Sequence, residues 1–245
     1  MKNVISIRKF IIRATAGSAS FFASPLMAFS EQNQIDRIIQ KSFSIDSHNH
    51  LDVLSKIEGL SISNFALAEE IKKSELSAIS LTFSVDRPKL TETGEAYQRF
   101  LSGLDQFDEV LLTNKLFKSL NLSDLKSAKK KPAIIQSVEG GHFLEGNLER
   151  LELAYKRGLR QLGLLHDNQS SFPLGDIYTN PPQFGGLTEF GKEVVKECNR
   201  LGILIDVTHC SNDAIDDALK ISTHPIIISH TGLDTRLGSD EKWLK

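Results

Sequence analysis

The chain predicts an α/β fold of repeated strand–helix units around a parallel sheet, and three observations carry that reading. Short apolar runs alternate with longer stretches of helical period, the pattern of βα units. At 245 residues and 40% hydrophobic content the chain can bury a large core, and α/β barrels of about 200 to 250 residues commonly form one domain. The apolar runs also finish repeatedly in histidine or glutamate, at the end where a parallel barrel assembles its active site.

Six apolar runs predict strands: Phe43–His48, Ala78–Phe83, Ala133–Glu139, Leu159–His166, Ile203–His209 and Pro225–His230. Helices fall between them. From Glu95 to Leu112, Tyr97, Phe100, Leu101, Leu104, Phe107, Val110 and Leu111 recur at spacings of three and four, the stripe of a one-sided helix. A helix over Leu148–Arg157 closes at Gly158, a residue that accepts the left-handed position past a helix end. Another runs from Thr188 to Gly202, and Ser211 is placed to cap a helix carrying Ala214, Ile215, Ala218 and Leu219. No glycine fingerprint for a dinucleotide and no phosphate loop appears. Lys126, Lys129, Lys130 and Lys131 read as a solvated linker. Asp167–Gly186, rich in Pro, Gly and Asn, directly follows His166, and long segments of that kind usually carry function. It is expected to be a substrate loop.

Residues 1–28 read as an export signal. They carry Lys2, Arg8, Lys9 and Arg13 and no acid, then a weakly apolar segment from Ala14 to Ala23, Pro25, and small residues at Ala28 and Ser30. An apolar stretch of about 10 residues is too short for a bilayer, which needs roughly 20. Arg8-Lys9 resembles a twin-arginine signal with one arginine replaced, so Tat and Sec routes both stand. The mature part, 29–245, is then expected to be periplasmic or extracellular, without a transmembrane span. It is more acidic than the whole chain's net charge of −2, which argues against nucleic acid. With only Cys198 and Cys210, a disulfide framework is excluded as the source of stability. The sequence leaves monomer and homodimer open.

The chemistry gathers at the strand ends. His48 and His50 close the first run, Glu139 the third, His166 the fourth, His209 the fifth and His230 the sixth. His224 precedes its strand and is given no role. Residues two apart on a strand share a face, so His48 and His50 can reach one ion. A lone histidine after an apolar run is more often a packed or capping residue. Five of six runs ending in imidazole or carboxylate is hard to obtain by accident. Such nitrogen and oxygen donors suit Zn²⁺ best, with Mn²⁺, Fe²⁺ or Co²⁺ as alternatives, and their number points to two ions.

The segments Asp46-Ser47-His48-Asn49-His50-Leu51, Val138-Glu139-Gly140-Gly141-His142, Gly158-Leu159-Arg160 through Leu165-His166, Gly186 through Gly191 to Leu204 through Ser211, and Pro225 through Thr231 stand in this order over most of the mature chain. Together they resemble the membrane (renal-type) dipeptidase family, zinc peptidases of the amidohydrolase superfamily with (β/α)8 TIM-barrel folds. The resemblance implies a metal-dependent hydrolase in which about six of eight βα units are present. It implies that His48 and His50 hold one zinc, that His209 and His230 hold the other, and that Glu139 bridges both. Two nearby cations lower the pKa of a bridging water, making hydroxide available to attack a peptide carbonyl. His166 would sit on the substrate side, supporting the oxygen as the carbon turns tetrahedral.

Two departures from the family pattern stand out. The family usually has aspartate where this chain has His50, a change expected to alter metal affinity or preference. The sequence also stops at Lys245, short of the last two strands and of the acid/base aspartate that follows them in the family. Arg236, the only arginine after the sixth run, falls in the region of the family's substrate-carboxylate arginine, against the plain reading of an exposed loop residue. Asn168 is placed to line the substrate loop, His142 to orient the site from behind, and Asp206 to serve a buried partner, since it faces away from His209. The expected function is an exported zinc dipeptidase. The alternatives are an amidohydrolase acting on N-acyl amino acids, cyclic amides or lactones, or an inactive truncated metal-binding remnant.

Overall fold

A computed structural model describes residues 37–38, 41–50, 66–128 and 132–231. Residues 1–42 and 43–245 form separate units, and the sheet, the helices and the candidate centre all belong to the second. The expected export segment and its boundary at residue 29, Arg236 and the stretch Lys129–Lys131 lie outside the described residues. No helix among the described residues is long and apolar enough to cross a membrane.

Five parallel strands form one sheet in chain order: β1 (Ile45–His50), β2 (Ala78–Ser84), β3 (Ala133–Glu139), β4 (Leu159–Gly163) and β5 (Leu204–Asp206). Sequential order in a parallel sheet requires a crossover after every strand. The helices that supply these crossovers are α1 (Leu67–Ser74), α2 (Glu95–Thr113), α3 (Leu122–Ser127), α4 (Glu149–Lys156) and α5 (Glu189–Leu201), with α6 (Asn212–Ile221) following β5. β2 is buried from Ala78 to Phe83, as expected when both faces of a parallel strand are covered. One face looks to the helices, where Phe100 of α2 stacks on Phe143 with ring centres 3.9 Å apart and lies 6.1 Å from Phe83. The other carries polar groups: Ser80 donates to Gln161 Oε1 at 2.8 Å, and Gln161 Nε2 donates to Ser47 O at 3.2 Å and to Asp206 Oδ2 at 3.4 Å. Bonds joining β1, β2, β4 and β5 across one face mean that the sheet is curved, a half-barrel with its concave side polar.

Sequence and structure differ at the strand ends for a local reason. β4 and β5 stop at Gly163 and Asp206 rather than at the histidines. At Asp206 the carboxylate accepts the backbone N–H of Thr208 at 3.1 Å, the Asx turn that takes a chain out of a strand. Asp206 Oδ1 also takes the N–H of Ser229 at 3.2 Å. The sixth run therefore pairs with β5 only around Ile227, by bonds of 2.9 Å to Ile205 O and from Val207 N, and it is a parallel bridge instead of a full strand.

The helix caps follow the sequence. Thr188 Oγ1 accepts Gly191 N–H at 3.0 Å, Ser211 Oγ accepts Ala214 N–H at 3.2 Å, and Gly202 closes α5 at φ +77°. α1 and α3 are not foreseen by the sequence reading. α3 is capped by Asn121, whose side chain accepts Ser123 and Asp124 N–H, and it takes Lys126 into a helix where a linker is expected. The segment 167–186 has no regular element but is tied down. Buried Asp176 accepts the backbone N–H groups of Gln183 (2.7 Å), Phe184 (3.1 Å) and Gly186 (3.0 Å).

Two outcomes follow from this packing. Burial pushes the Cys198 and Cys210 thiols well above their usual pKa range, so neither forms the reactive thiolate. Ellman's reagent should leave the native chain unmodified and titrate both thiols after denaturation; rapid labelling of either in the native state would contradict this packing. Asp176→Ala strands three backbone donors and should cost about 1–3 kcal/mol of stability in a denaturant titration. It should also open 167–186 to limited proteolysis, and unchanged stability and protection would show that the loop is held elsewhere.

Candidate metal centre

β3 is the central strand, and its last residue, Glu139, is 3% exposed. The turn behind it is fixed by Gly140 at φ +89°, where a Cβ would come 2.4 Å from His142 Nδ1 and 3.1 Å from His166 Cβ. Nothing but glycine fits there without moving a histidine. Curvature then brings the two sides of the sheet together over this carboxylate. Ser47 on β1 donates to Ser229 O at 2.8 Å, and the His48 and His230 rings lie 3.9 Å apart.

Five imidazoles reach Glu139 through Nε2: His209 at 2.9 Å, His166 at 3.0 Å, His50 at 3.2 Å, His230 at 3.5 Å and His48 at 3.7 Å. The Nε2 atoms of His48 and His50 are 2.9 Å apart, and those of His209 and His230 3.2 Å. Nitrogens bound tetrahedrally to one ion at about 2.0–2.1 Å stand roughly 3.3 Å from each other, so both pairs have the spacing of shared ligands. Two triads of donor atoms lie within 4.8 Å of one another, His48–Glu139–His230 and Glu139–His166–His209. Glu139 belongs to both.

The electrostatics suit cations. Burial lowers the His48 pKa to about 4, against the attraction of Glu139 and with help from His230 and His50. Burial likewise lowers His230. Both rings are held neutral, the form that binds a metal. For Glu139, burial alone would raise the pKa, but hydrogen bonds from His166, His209 and His50 outweigh it and hold the carboxyl far below its usual range. A cluster of imidazoles around one ionised, buried carboxylate matches the donor set of a divalent-cation site.

Most of these rings are also fixed from behind. His166 Nδ1 donates to Asp86 Oδ1 at 2.5 Å, His209 Nδ1 lies 3.2 Å from Asp167 Oδ1, and His230 Nδ1 meets Ser229 Oγ at 2.9 Å. Ser229 Oγ in turn donates to Asp206. Such partners orient metal-binding histidines and set which nitrogen is free. The Nδ1 atoms of His48 and His209 are buried without a hydrogen-bond partner, that of His209 having Asp167 only as an ion-pair neighbour. Burial works against charge on His166, but Asp86 and Glu139 on its two nitrogens raise its pKa to about 9.

Among the residues singled out from sequence, His48, His50, Glu139, His166, His209 and His230 come together. Asp206 is buried and has its partners in the half-buried Ser229 and Thr208. The amide of Asn168 is committed to Asp86, 3.0 Å from Oδ2. His142 Nε2 bonds Asn168 O at 2.6 Å, holding the loop rather than facing the centre. His224 is exposed beside Thr223. Asp86, Asp167 and Ser229 are not found by the sequence reading. A signal for Asp86 existed: the second run is the only one given no polar terminus, and it continues Ser84-Val85-Asp86. Asp167 also pairs with Arg87 at the rim, and Tyr178, 40% exposed, stands 6.0 Å from the His209 ring.

Dipeptidase 3 of Mus musculus is 28% identical over 203 residues, 76% of this chain and 40% of that protein. Dipeptidase 3 of Rattus norvegicus is likewise 28% identical over 203 residues, 76% of this chain and 41% of that protein. The chain therefore spans about 40% of the length of these curated relatives. Among solved structures, the probable dipeptidase PvdM from Pseudomonas aeruginosa superposes with a TM-score of 0.67 at 20% identity, covering 81% of this chain and 55% of its own. A metallo peptidase from Rhodobacter sphaeroides, liganded with a phosphinate mimic of the dipeptide L-Ala-D-Ala, gives 0.63 at 19%, covering 77% and 65%. These two likenesses show the shared fold, of which this chain's half-barrel is a part. A model of the family described as membrane dipeptidase, peptidase family M19, matches residues 32–237, and the chain belongs to that family.

Proposed function

We propose that this chain carries the dizinc centre of an exported dipeptidase. The observation that supports it above all is the convergence of five imidazoles within 3.7 Å of one buried carboxylate at the C-terminal end of a parallel sheet. His48 and His50 would hold one cation and His209 and His230 the other, with Glu139 shared between them, although the two donor triads join His48 with His230 and His166 with His209. The Nε2 spacings within the two pairs, 2.9 and 3.2 Å, favour this division. When bound, paired divalent cations lower the pKa of a coordinated water and polarise a carbonyl.

The chain's own groups do the rest. His166, with its Nε2 among the donors, supports the carbonyl oxygen of the scissile bond as negative charge develops on it. The loop 167–186, pinned by Asp176, holds Tyr178 beside His209 as a wall of the substrate pocket. Arg236, outside the described residues, takes the substrate's carboxylate. The small phosphinate ligand carried by the Rhodobacter sphaeroides structure supports a dipeptide with a D-configured second residue as a substrate. The basic and weakly apolar stretch at 1–28 supports export.

Two measurements test this. Glu139→Gln removes the shared charge and should cut bound zinc from two ions per chain to one or none by plasma mass spectrometry, with peptide hydrolysis falling to background and the fold retained by circular dichroism. Chelation of the unsubstituted chain should do the same reversibly. Two zinc ions retained by Glu139→Gln would overturn the bridging role. In a substrate panel, the zinc-loaded chain should cleave Ala-D-Ala and related dipeptides faster than N-acyl amino acids, cyclic amides or lactones. The reverse order would assign another amidohydrolase activity, and zinc bound without turnover of any of them would mark a metal-binding remnant.

A further inference from the structure

Asp86 lies just past β2, is 0% exposed, and is not a neighbour of Glu139 in the ion pairs above. A carboxylate so deeply buried needs hydrogen-bond donors on its oxygens. It finds three, all from one segment after β4: His166 Nδ1 at 2.5 Å on Oδ1, and on Oδ2 the backbone N–H of Asn168 at 3.1 Å and its side-chain amide at 3.0 Å. The same amide also reaches Asp86 O at 3.2 Å. From α2, Arg99 bonds the carbonyl of Val85 at 3.0 Å, fixing the backbone that carries Asp86.

We propose that Asp86, locked by Asn168, is the positioning residue for His166: it fixes the ring's orientation so that the Nε2–H is directed at the Glu139 centre. An imidazole can turn over about its Cβ–Cγ bond, so burial alone does not decide which nitrogen meets the substrate. A carboxylate only accepts. With Asp86 on one side, Nδ1 must keep its hydrogen, and the ring is held by a bond that would be lost on turning. Asn168 makes the clamp one-sided, because two of its donors saturate Oδ2 and leave Oδ1 for the histidine. The clamp joins the loops after β2 and β4 across the end of β3, so it spans the strand that ends in Glu139. This gives Asn168 its use: it acts through Asp86 rather than on the substrate.

The activity arm of the test rests on the dipeptidase reading; the spectroscopic arm does not. In metal-free, ¹⁵N-labelled full chain, the His166 ring should show a slowly exchanging, downfield Nδ1–H resonance that is absent from His166→Ala. Asp86→Asn keeps shape and burial, and should move that resonance upfield or abolish it. In the zinc-loaded chain, Asp86→Asn should lower kcat by about 10–100-fold, the range found for lost partners of site histidines, with KM nearly unchanged. In a His166→Ala background the same substitution should change kcat less than about twofold, since the two act as one unit. An unchanged His166 ring resonance in Asp86→Asn, or losses in the two variants that simply multiply, would overturn the proposal. If Asp86→Asn does not fold, Asn168→Ala carries the same readout: an upfield movement supports the clamp and an unchanged resonance refutes it. Should the zinc-loaded chain cleave no dipeptide, the dipeptidase reading fails, while the ring resonance still decides the role of Asp86.

Discussion

A single buried negative charge organises this half-barrel. Glu139 sits at the end of the central strand, and among the described residues its ion-pair partners are all imidazoles. A carboxylate at that depth is stable as an ion only if positive charge or strong donors surround it. Histidines supply that need as hydrogen-bond donors to Glu139, and their nitrogens are also placed where a divalent cation could be held. Burial holds His48 and His230 neutral, the form in which an imidazole can take a metal.

The rest of the fold serves this convergence. Donors on β1 and on the sixth run start at opposite sides of the sheet, so they can meet only if the sheet curls, and the polar bonds on its concave face join those strands. Gln161 is the link, reaching Ser80, Ser47 and Asp206 from β4. Asp206 extends the link outward through Ser229 to the His230 ring. The groups linked through Gln161 bond one another, and a network so connected specifies one arrangement of the strands. Apolar packing, led by Phe100 against Phe143 and Phe83, is kept to the convex side with the helices.

Much of this was legible in the sequence because it is written in short-range pattern. The stripe from Tyr97 to Leu111 gives α2, Thr188 and Ser211 announce their helices as caps, and apolar runs that finish in His or Glu mark the end of the sheet that carries chemistry. What escaped lacks any period. α1 and α3 are short, at 8 and 6 residues, too brief for a helical stripe to stand out. The early ends of β4 and β5, and the reduction of the sixth run to a bridge, depend on Asp206 capturing backbone N–H groups at Thr208 and Ser229, a competition between side chain and ladder that composition does not reveal. Asp86 and Asp167 act on histidines 80 and 42 positions away, and such pairing exists only once the loops have been folded over the sheet.

The central claim is that Glu139 lies between two ions, each also held by a pair of histidines. Anomalous diffraction at the zinc edge from crystals of the zinc-loaded chain tests it most directly. Two peaks flanking the Glu139 carboxylate are expected, one within about 2.0–2.2 Å of the His48 and His50 nitrogens and the other equally close to those of His209 and His230. A single peak, or peaks bound away from Glu139, would contradict it.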